Sequence, residues 1–297
     1  MSAAAHRAGH VAIIGRPNVG KSTLLNSLVG QKVSITSRKP QTTRQRVTGI
    51  LTRDDAQLVF VDTPGFQTRH TSALNRLMNR CVVSGLRDVH VIIWVLEALK
   101  FDARDAALAR LLPAGTPVVL VANKVDRVRD KGTLLPYIKN LAERFDCAAI
   151  VPVSAQQRES IDQLVNAVVG LLPEAPRMFD GDEITTLSER FCAAELVREQ
   201  LFRLLGEELP YSTAVEIERF EAAGGLRRIH AAVLVDRESQ KAIVIGKRGE
   251  KLKVIGTAAR KQMEEMFGGK VFLEIWVKVK SGWAESDAAL KHLGYQA

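Results

Sequence analysis

An α/β domain built on a mostly parallel sheet, followed by a small α+β unit, is the fold class this sequence predicts, and three observations predict it. Short β-branched apolar runs alternate with longer helical segments over the first 170 or so residues. A Gly15-Arg16-Pro17-Asn18-Val19-Gly20-Lys21-Ser22 stretch lies where the first such run gives way to a helical segment. Beyond Pro173 and Pro176 the alternation stops and a new pattern begins. Continuous apolar strands suit a parallel sheet covered on both faces, because neither face is then left for water.

The strands expected in the first unit are 11–14, 47–51, 58–61, 89–96, 118–121 and 150–153, with helices starting near Lys21, Leu74, Asp102, Gly132 and Ser160. The domain division predicted is 1–172, a linker at 173–182 and a second unit at 183–297, the two prolines of a short polar stretch marking the break. The second unit should run helix 188–205, strand 214–220, strand 229–236, two helices at about 247–255 and 257–267, and strand 271–279.

Composition agrees with two folded domains: 297 residues, 46% hydrophobic and 25% charged. Forty-two Lys and Arg stand against thirty-three Asp and Glu, which favours a polyanionic partner. Residues 1–180 carry the whole excess, 24 basic to 15 acidic, while 181–297 hold 18 of each. Within that neutral half, residues 241–261 have seven basic side chains and a single acid, Glu250. Three widely spaced cysteines fit neither a disulfide framework nor a zinc site, so a reducing cytoplasm is expected. The most apolar run, 89–96, is far short of the roughly 18–20 residues that span a bilayer, and the first ten residues lack an apolar signal core, so the protein is expected to be soluble and not secreted.

The GxxxxGK[ST] pattern, after a strand and opening a helix, arises by chance in such a chain on the order of one time in a hundred. The backbone N–H groups of this loop would ring phosphates, Lys21 would neutralise β/γ oxygens, and Ser22 would offer a hydroxyl to Mg2+. Asp62-Thr63-Pro64-Gly65 closes the strand 58–61, at the sheet edge where ligands of open α/β sheets bind. Asp62 can hold Mg2+ through water, and the Gly65 N–H can meet a γ-phosphate, which makes Thr63, Pro64, Gly65, Phe66 and the loop after them a candidate switch. A second switch is expected at Gln41-Thr42-Thr43-Arg44, where one threonine hydroxyl would reach Mg2+ only when a γ-phosphate is present; Thr43 is favoured over Thr42.

Asn123-Lys124-Val125-Asp126 selects the base. A carboxylate at Asp126 only accepts hydrogen bonds, which suits guanine N1–H and N2–H2 and opposes the lone pair at adenine N1. Asn123 would brace the loops and contact the base, the Lys124 stem would lie along the ring, and Ser154 and Ala155 would offer backbone N–H to guanine O6. Phe66 stands where many relatives of this class carry a water-orienting Gln, so hydrolysis should be slow. Asn18 is a candidate to help hold K+ beside the phosphates, with simple bracing of the loop as the alternative.

In the second unit, Ile245-Gly246-Lys247-Arg248-Gly249, followed by Lys251 and Lys253, places a GxxG turn at a helix start within the basic patch. With 21 glycines, GxxG alone occurs about once or twice by chance. Its place in the order helix, strand, strand, GxxG between helices, strand gives it weight: such a loop clamps about four unstacked nucleotides. Trp276 and Trp283 are read as core, with stacking on bases as the alternative.

GRPNVGKS, QTTR, DTPG, NKVD and VSA, then PYSTAVEIERF, VIGKRGEKLKVIG and WVKVKSGWA, resemble the Era GTPases from about Val11 to Tyr295. The resemblance implies a Ras-like GTPase domain joined to a type II KH domain, binding of GTP and GDP, and binding of the 3′ end of 16S ribosomal RNA in assembly and rRNA processing of the small (30S) ribosomal subunit. It also implies peripheral association with the cytoplasmic face of the inner membrane, for which no amphipathic anchor is found in the sequence. A monomer is expected. A tRNA-modifying GTPase would carry its G domain inside a helical domain, a tandem GTPase needs a second phosphate loop, and a non-enzymatic RNA scaffold would not need Lys21, Ser22 and Asp62.

Overall fold

The computed structural model describes residues 6–66, 72–206 and 208–295. The first unit contains β1 (Arg7–Ile14), α1 (Lys21–Val29), β2 (Val47–Thr52), β3 (Ala56–Asp62), α2 (Ala73–Gly85), β4 (Val91–Glu97), α3 (Ala103–Ala109), β5 (Val118–Asn123), α4 (Leu134–Arg144), β6 (Ala149–Val153) and α5 (Ile161–Val169). The sheet order is β2-β3-β1-β4-β5-β6, parallel throughout except for the β2–β3 hairpin pair. Its two faces pack separate cores: Val11, Ile13, Leu24 and Val121 lie on the side of α1 and α5, and Ile14, Ile92, Trp94 and Leu120 on the side of α3 and α4. β1 lies between β3 and β4, so the crevice beyond its carboxyl end opens where the chain order reverses.

The segment read as a linker is laced to this sheet. Pro173 O accepts Ala8 N–H at 3.2 Å, and Gln57 Oε1 accepts Met178 N–H at 2.7 Å and Phe179 N–H at 3.0 Å. Farther on, Ile184 O accepts Ile50 N–H at 2.8 Å, covering the free edge of β2. The polar, proline-containing composition fits a strap whose hydrogen bonds go to strands as well as it fits a solvated tether.

The second unit contains α6 (Glu189–Leu204), β7 (Ala214–Ala223), β8 (Leu226–Val235), α7 (Glu238–Ile245), α8 (Glu250–Phe267), β9 (Lys270–Val279) and a short α9 (Asp287–His292). β7 and β8 pair antiparallel, β8 and β9 parallel, and α6 and α8 cover one face around Val197, Leu201, Val233, Ile255 and Met263. The expected helix bounds are corrected here. The GxxG turn lies between helices, as its place in the order requires, but the helix before it is α7, its start capped by the Gln240 carboxamide, which accepts Asp236 N–H at 2.8 Å. The two helices expected on either side of Gly256 are a single α8. One interior glycine costs a helix about 1 kcal/mol, less than the burial of Ile255, Ala259 and Met263 returns. The opposite sheet face packs Ala232, Leu234 and Trp283 against Ala73, Leu74 and Leu77 of α2, joining the units.

Candidate guanine-nucleotide and RNA sites

β1 ends at Ile14 and α1 begins at Lys21, so residues 15–20 form the loop at the helix N-terminus. Gly20 has φ +100, and a Cβ there would lie 2.3 Å from Asn123 Nδ2. A side chain would therefore force apart the phosphate loop and the base loop. Lys21 is buried, its Nζ donating to Arg16 O at 3.3 Å, and burial pushes its pKa down to about 8 against the opposing charge of Asp62. The Arg16 side chain turns away from the loop, its Nε donating to Asp105 Oδ2 at 3.0 Å. Only its backbone remains for an anion, so the expectation for Arg16 is narrowed to main-chain atoms. Asn18 is exposed with φ 65, and its carbonyl accepts the Lys124 ammonium at 2.5 Å.

Three oxygen groups converge beside Lys21. Ser22 Oγ donates to Asp62 Oδ2 at 2.8 Å, the Ser22 and Thr43 hydroxyls lie 2.7 Å apart, and Thr43 Oγ1 is 3.5 Å from Asp62 Oδ2. Asp62 Oδ1 is buried with no hydrogen-bond partner, and burial raises the carboxyl pKa to about 6 despite Lys21 and the hydroxyls. An orphaned carboxylate oxygen among hard hydroxyl donors fits Mg2+. Thr42 instead turns back on its own loop, donating to Lys39 O at 2.8 Å beside Ser37 Oγ at 2.7 Å. A hollow of about 50 Å3 here is lined by Asn18, Lys21, Ser22, Thr42, Thr43 and Gly65. Gly65 passes so close to the phosphate loop that an added Cβ would meet Pro17 Cα at 2.8 Å. Thr63 is buried, bonded through Oγ1 to Ile13 O at 3.0 Å; Pro64 is buried, and Phe66 packs on the apolar cluster of Trp94. The remainder of the switch expected after Phe66, residues 67–71, lies outside the described residues.

The base loop follows β5. Asn123 is buried, donating from Nδ2 to Val19 O at 2.8 Å and accepting Ala155 N–H at 3.1 Å, so one carboxamide ties three loops. Lys124 lies across the phosphate loop, held also by Glu97 Oε2 at 2.7 Å. Asp126 accepts the Ser154 hydroxyl at 2.6 Å and lines a cleft of about 1010 Å3 with Asn18, Asn123, Lys124, Ala155 and Gln156. Ser154 N–H donates to Glu159 O at 3.3 Å and Ala155 N–H to Asn123 Oδ1 at 3.1 Å, and Ala155 lines the cleft. Both amides brace the loop, and the buried Ser154 side chain meets the cleft through its hydrogen bond to Asp126.

In the second unit, Gly246, Arg248 and Gly249 have φ of 73, 51 and 81, a run that turns the chain sharply between α7 and α8. Lys247, Arg248 and Lys253 are exposed and Lys251 is half-buried. Ile245 packs inward on the core, and the aliphatics left in solvent beside the turn are Ile243, 51% exposed, and Val254, 53% exposed. Trp283 is core, 1% exposed, with Nε1 donating to Ser212 O at 3.1 Å. Trp276 is half-buried, its ring 5.6 Å from Lys278 Nζ. Sequence reasoning missed Glu97, Asn26, whose Oδ1 accepts Val33 and Ser34 N–H at 2.9 Å each, and the contacts of Arg44 with the second unit.

Among the described residues, no helix is long and apolar enough to cross a membrane, and no group of three or more His, Cys, Asp and Glu could hold a metal ion. The chain matches the family described as 50S ribosome-binding GTPase over residues 10–124 and the KH domain family over residues 208–284. It is 57% identical to GTPase Era of Nitrosomonas eutropha over 100% of both chains, and 56% identical to that of Stenotrophomonas maltophilia over 98% of both. Two solved structures are similar at 38% identity and TM-score 0.95, each covering 98% of this chain and 100% of its own: an Aquifex aeolicus Era variant bound to GDP and AlF4−, and Era in complex with MgGDPNP and nucleotides 1506–1542 of 16S ribosomal RNA. The likeness runs through both units in order, and the chain belongs to the Era family of GTPases.

Proposed function

We propose that this GTPase binds the 3′ end of 16S ribosomal RNA through its KH unit and acts in small-subunit assembly, with the nucleotide state setting its grip on RNA. The observation that carries the reading is the full-length likeness to an Era solved with MgGDPNP and that RNA, together with the exposed Lys247, Arg248, Ile243 and Val254 around the GxxG turn. The loop from Gly15 to Gly20 presents the main-chain N–H groups of its residues other than Pro17 to the phosphates, Lys21 neutralises the β/γ oxygens, and the Gly65 amide meets the γ-phosphate. Ser22, Thr43 and Asp62 would hold Mg2+, which offsets the charge on the phosphates when bound. Asp126 pairs with guanine N1–H and N2–H2, Asn123 keeps the loops in register, and Lys124 covers the ring.

Phe66 supplies no group to orient water, so turnover without help is slow. K+ beside Asn18 is part of this reading: faster hydrolysis in K+ than in Na+ supports it, and equal rates leave Asn18 as a brace. The test of the main claim is titration of an RNA of nucleotides 1506–1542 into the protein with GDP and with a non-hydrolysable GTP analogue. Different affinities are expected; equal affinities overturn the coupling, and no binding in either state overturns the RNA assignment.

A further inference from the structure

Thr43 stands between two residues whose anchors both lie in the other unit. The Thr42 carbonyl accepts the guanidinium of Arg198, a residue of α6 that is 1% exposed. Arg44 is likewise 1% exposed and crosses into the second unit, donating to Thr213 O at 2.7 Å, Pro210 O at 3.1 Å and Tyr211 O at 3.0 Å. Its guanidinium carbon also lies 5.6 Å from the Phe202 ring and 5.8 Å from that of Trp283. Farther back in the same loop, Thr36 N–H donates to the buried Glu199 at 2.9 Å. The loop that presents Thr43 is thus pinned on α6 and on the turn at Leu209–Ser212, while Thr43 itself reaches Ser22 at 2.7 Å.

A buried guanidinium forked onto three carbonyls has few alternative arrangements. A shift of Thr43 therefore has to move the turn at 209–213 or break the fork. The geometry points to Arg44 as a positioning residue: it holds Thr43 at the Ser22–Asp62 site and transmits the position of that hydroxyl to the KH unit. By linkage the effect is reciprocal, so whatever RNA does to the second unit changes how readily Thr43 is presented. This inference rests on the proposed role of Thr43 toward Mg2+.

The test uses the full chain and the RNA of nucleotides 1506–1542. Its affinity is measured with GDP and with a non-hydrolysable GTP analogue in Mg2+, for the unaltered protein, R44K, R44Q and T43A. The unaltered protein is expected to show a ratio of about fivefold or more between the two nucleotides. All three variants are expected to bring it within about twofold of unity, T43A while keeping every Arg44 contact. R44Q should also raise the Mg2+ concentration needed for half-maximal binding of the analogue, with GDP binding much less affected, a split that simple loss of stability would not give. An unaltered protein with no ratio overturns the proposed coupling and this inference with it. Loss of the ratio in the Arg44 variants but not in T43A overturns the route through Thr43. A ratio retained in R44K and R44Q overturns the role of Arg44 alone. Should the Arg44 variants fail to fold, hydrogen exchange in the unaltered protein decides: the 209–213 segment should exchange more slowly with the analogue than with GDP, and equal exchange overturns the proposal.

Discussion

The Ser154 hydroxyl donates to Asp126 Oδ1 across 2.6 Å, so the carboxylate proposed to read the base is aimed by a residue 28 positions away on a different loop. A second contact, from Gln157 N–H to Ser154 Oγ at 3.2 Å, fixes the hydroxyl in turn. Asp126 is therefore oriented before any nucleotide arrives.

Removing that hydroxyl should loosen the carboxylate without abolishing recognition. A hydrogen bond to a charged group contributes about 1.5–3 kcal/mol, and partial solvent access reduces this to about 1 kcal/mol. S154A is expected to weaken GTP binding about fivefold by calorimetry and to keep the preference over ATP. Unchanged GTP affinity would mean that Asp126 needs no orienting partner.

Glu97 holds Lys124 over the phosphate loop. Burial works to raise its carboxyl, but hydrogen bonds and charge from Lys100 and Lys124 outweigh this and hold it at about 2, below the ordinary 4.5. A depressed carboxyl stabilises the fold above its unfolded pKa and loses that contribution as pH falls through the folded one. The melting-temperature difference between the unaltered protein and E97Q should therefore be constant near neutral pH and shrink between about 4.5 and about 2. A difference that persists at pH 2 would locate its cause elsewhere.

Lys247 and Arg248 project from the GxxG turn into solvent, so replacing them changes charge and not packing. K247A and R248A are each expected to weaken RNA binding and to lower the slope of log affinity against log salt by about 0.7, as for one single-strand phosphate contact. An unchanged slope in both would remove the turn from the interface.

Much of this molecule is legible in its sequence because its signals are local. Lys21, Asp62 and Asn123 sit at strand ends or the first turn of α1, where motif and secondary structure coincide. What the sequence hides is non-local. Nothing near Arg44 says that its guanidinium will be buried against Pro210, Tyr211 and Thr213, more than 160 residues on. The lacing at Met178 and Phe179 goes to Gln57, whose burial in β3 is visible only once the strap is in place. The exposure of Ile243 in place of Ile245 turned on α7, whose start is set by the cap from Gln240 and not by a hydrophobic period.

Base discrimination by Asp126 is the claim on which the nucleotide assignment stands, and calorimetric titration of GTP and of ATP against the unaltered protein and D126A tests it most directly. GTP should bind about a thousandfold or more tightly than ATP, and D126A should lose most of that margin through its loss of GTP affinity. ATP bound as tightly as GTP, or an undiminished margin in D126A, would contradict the account.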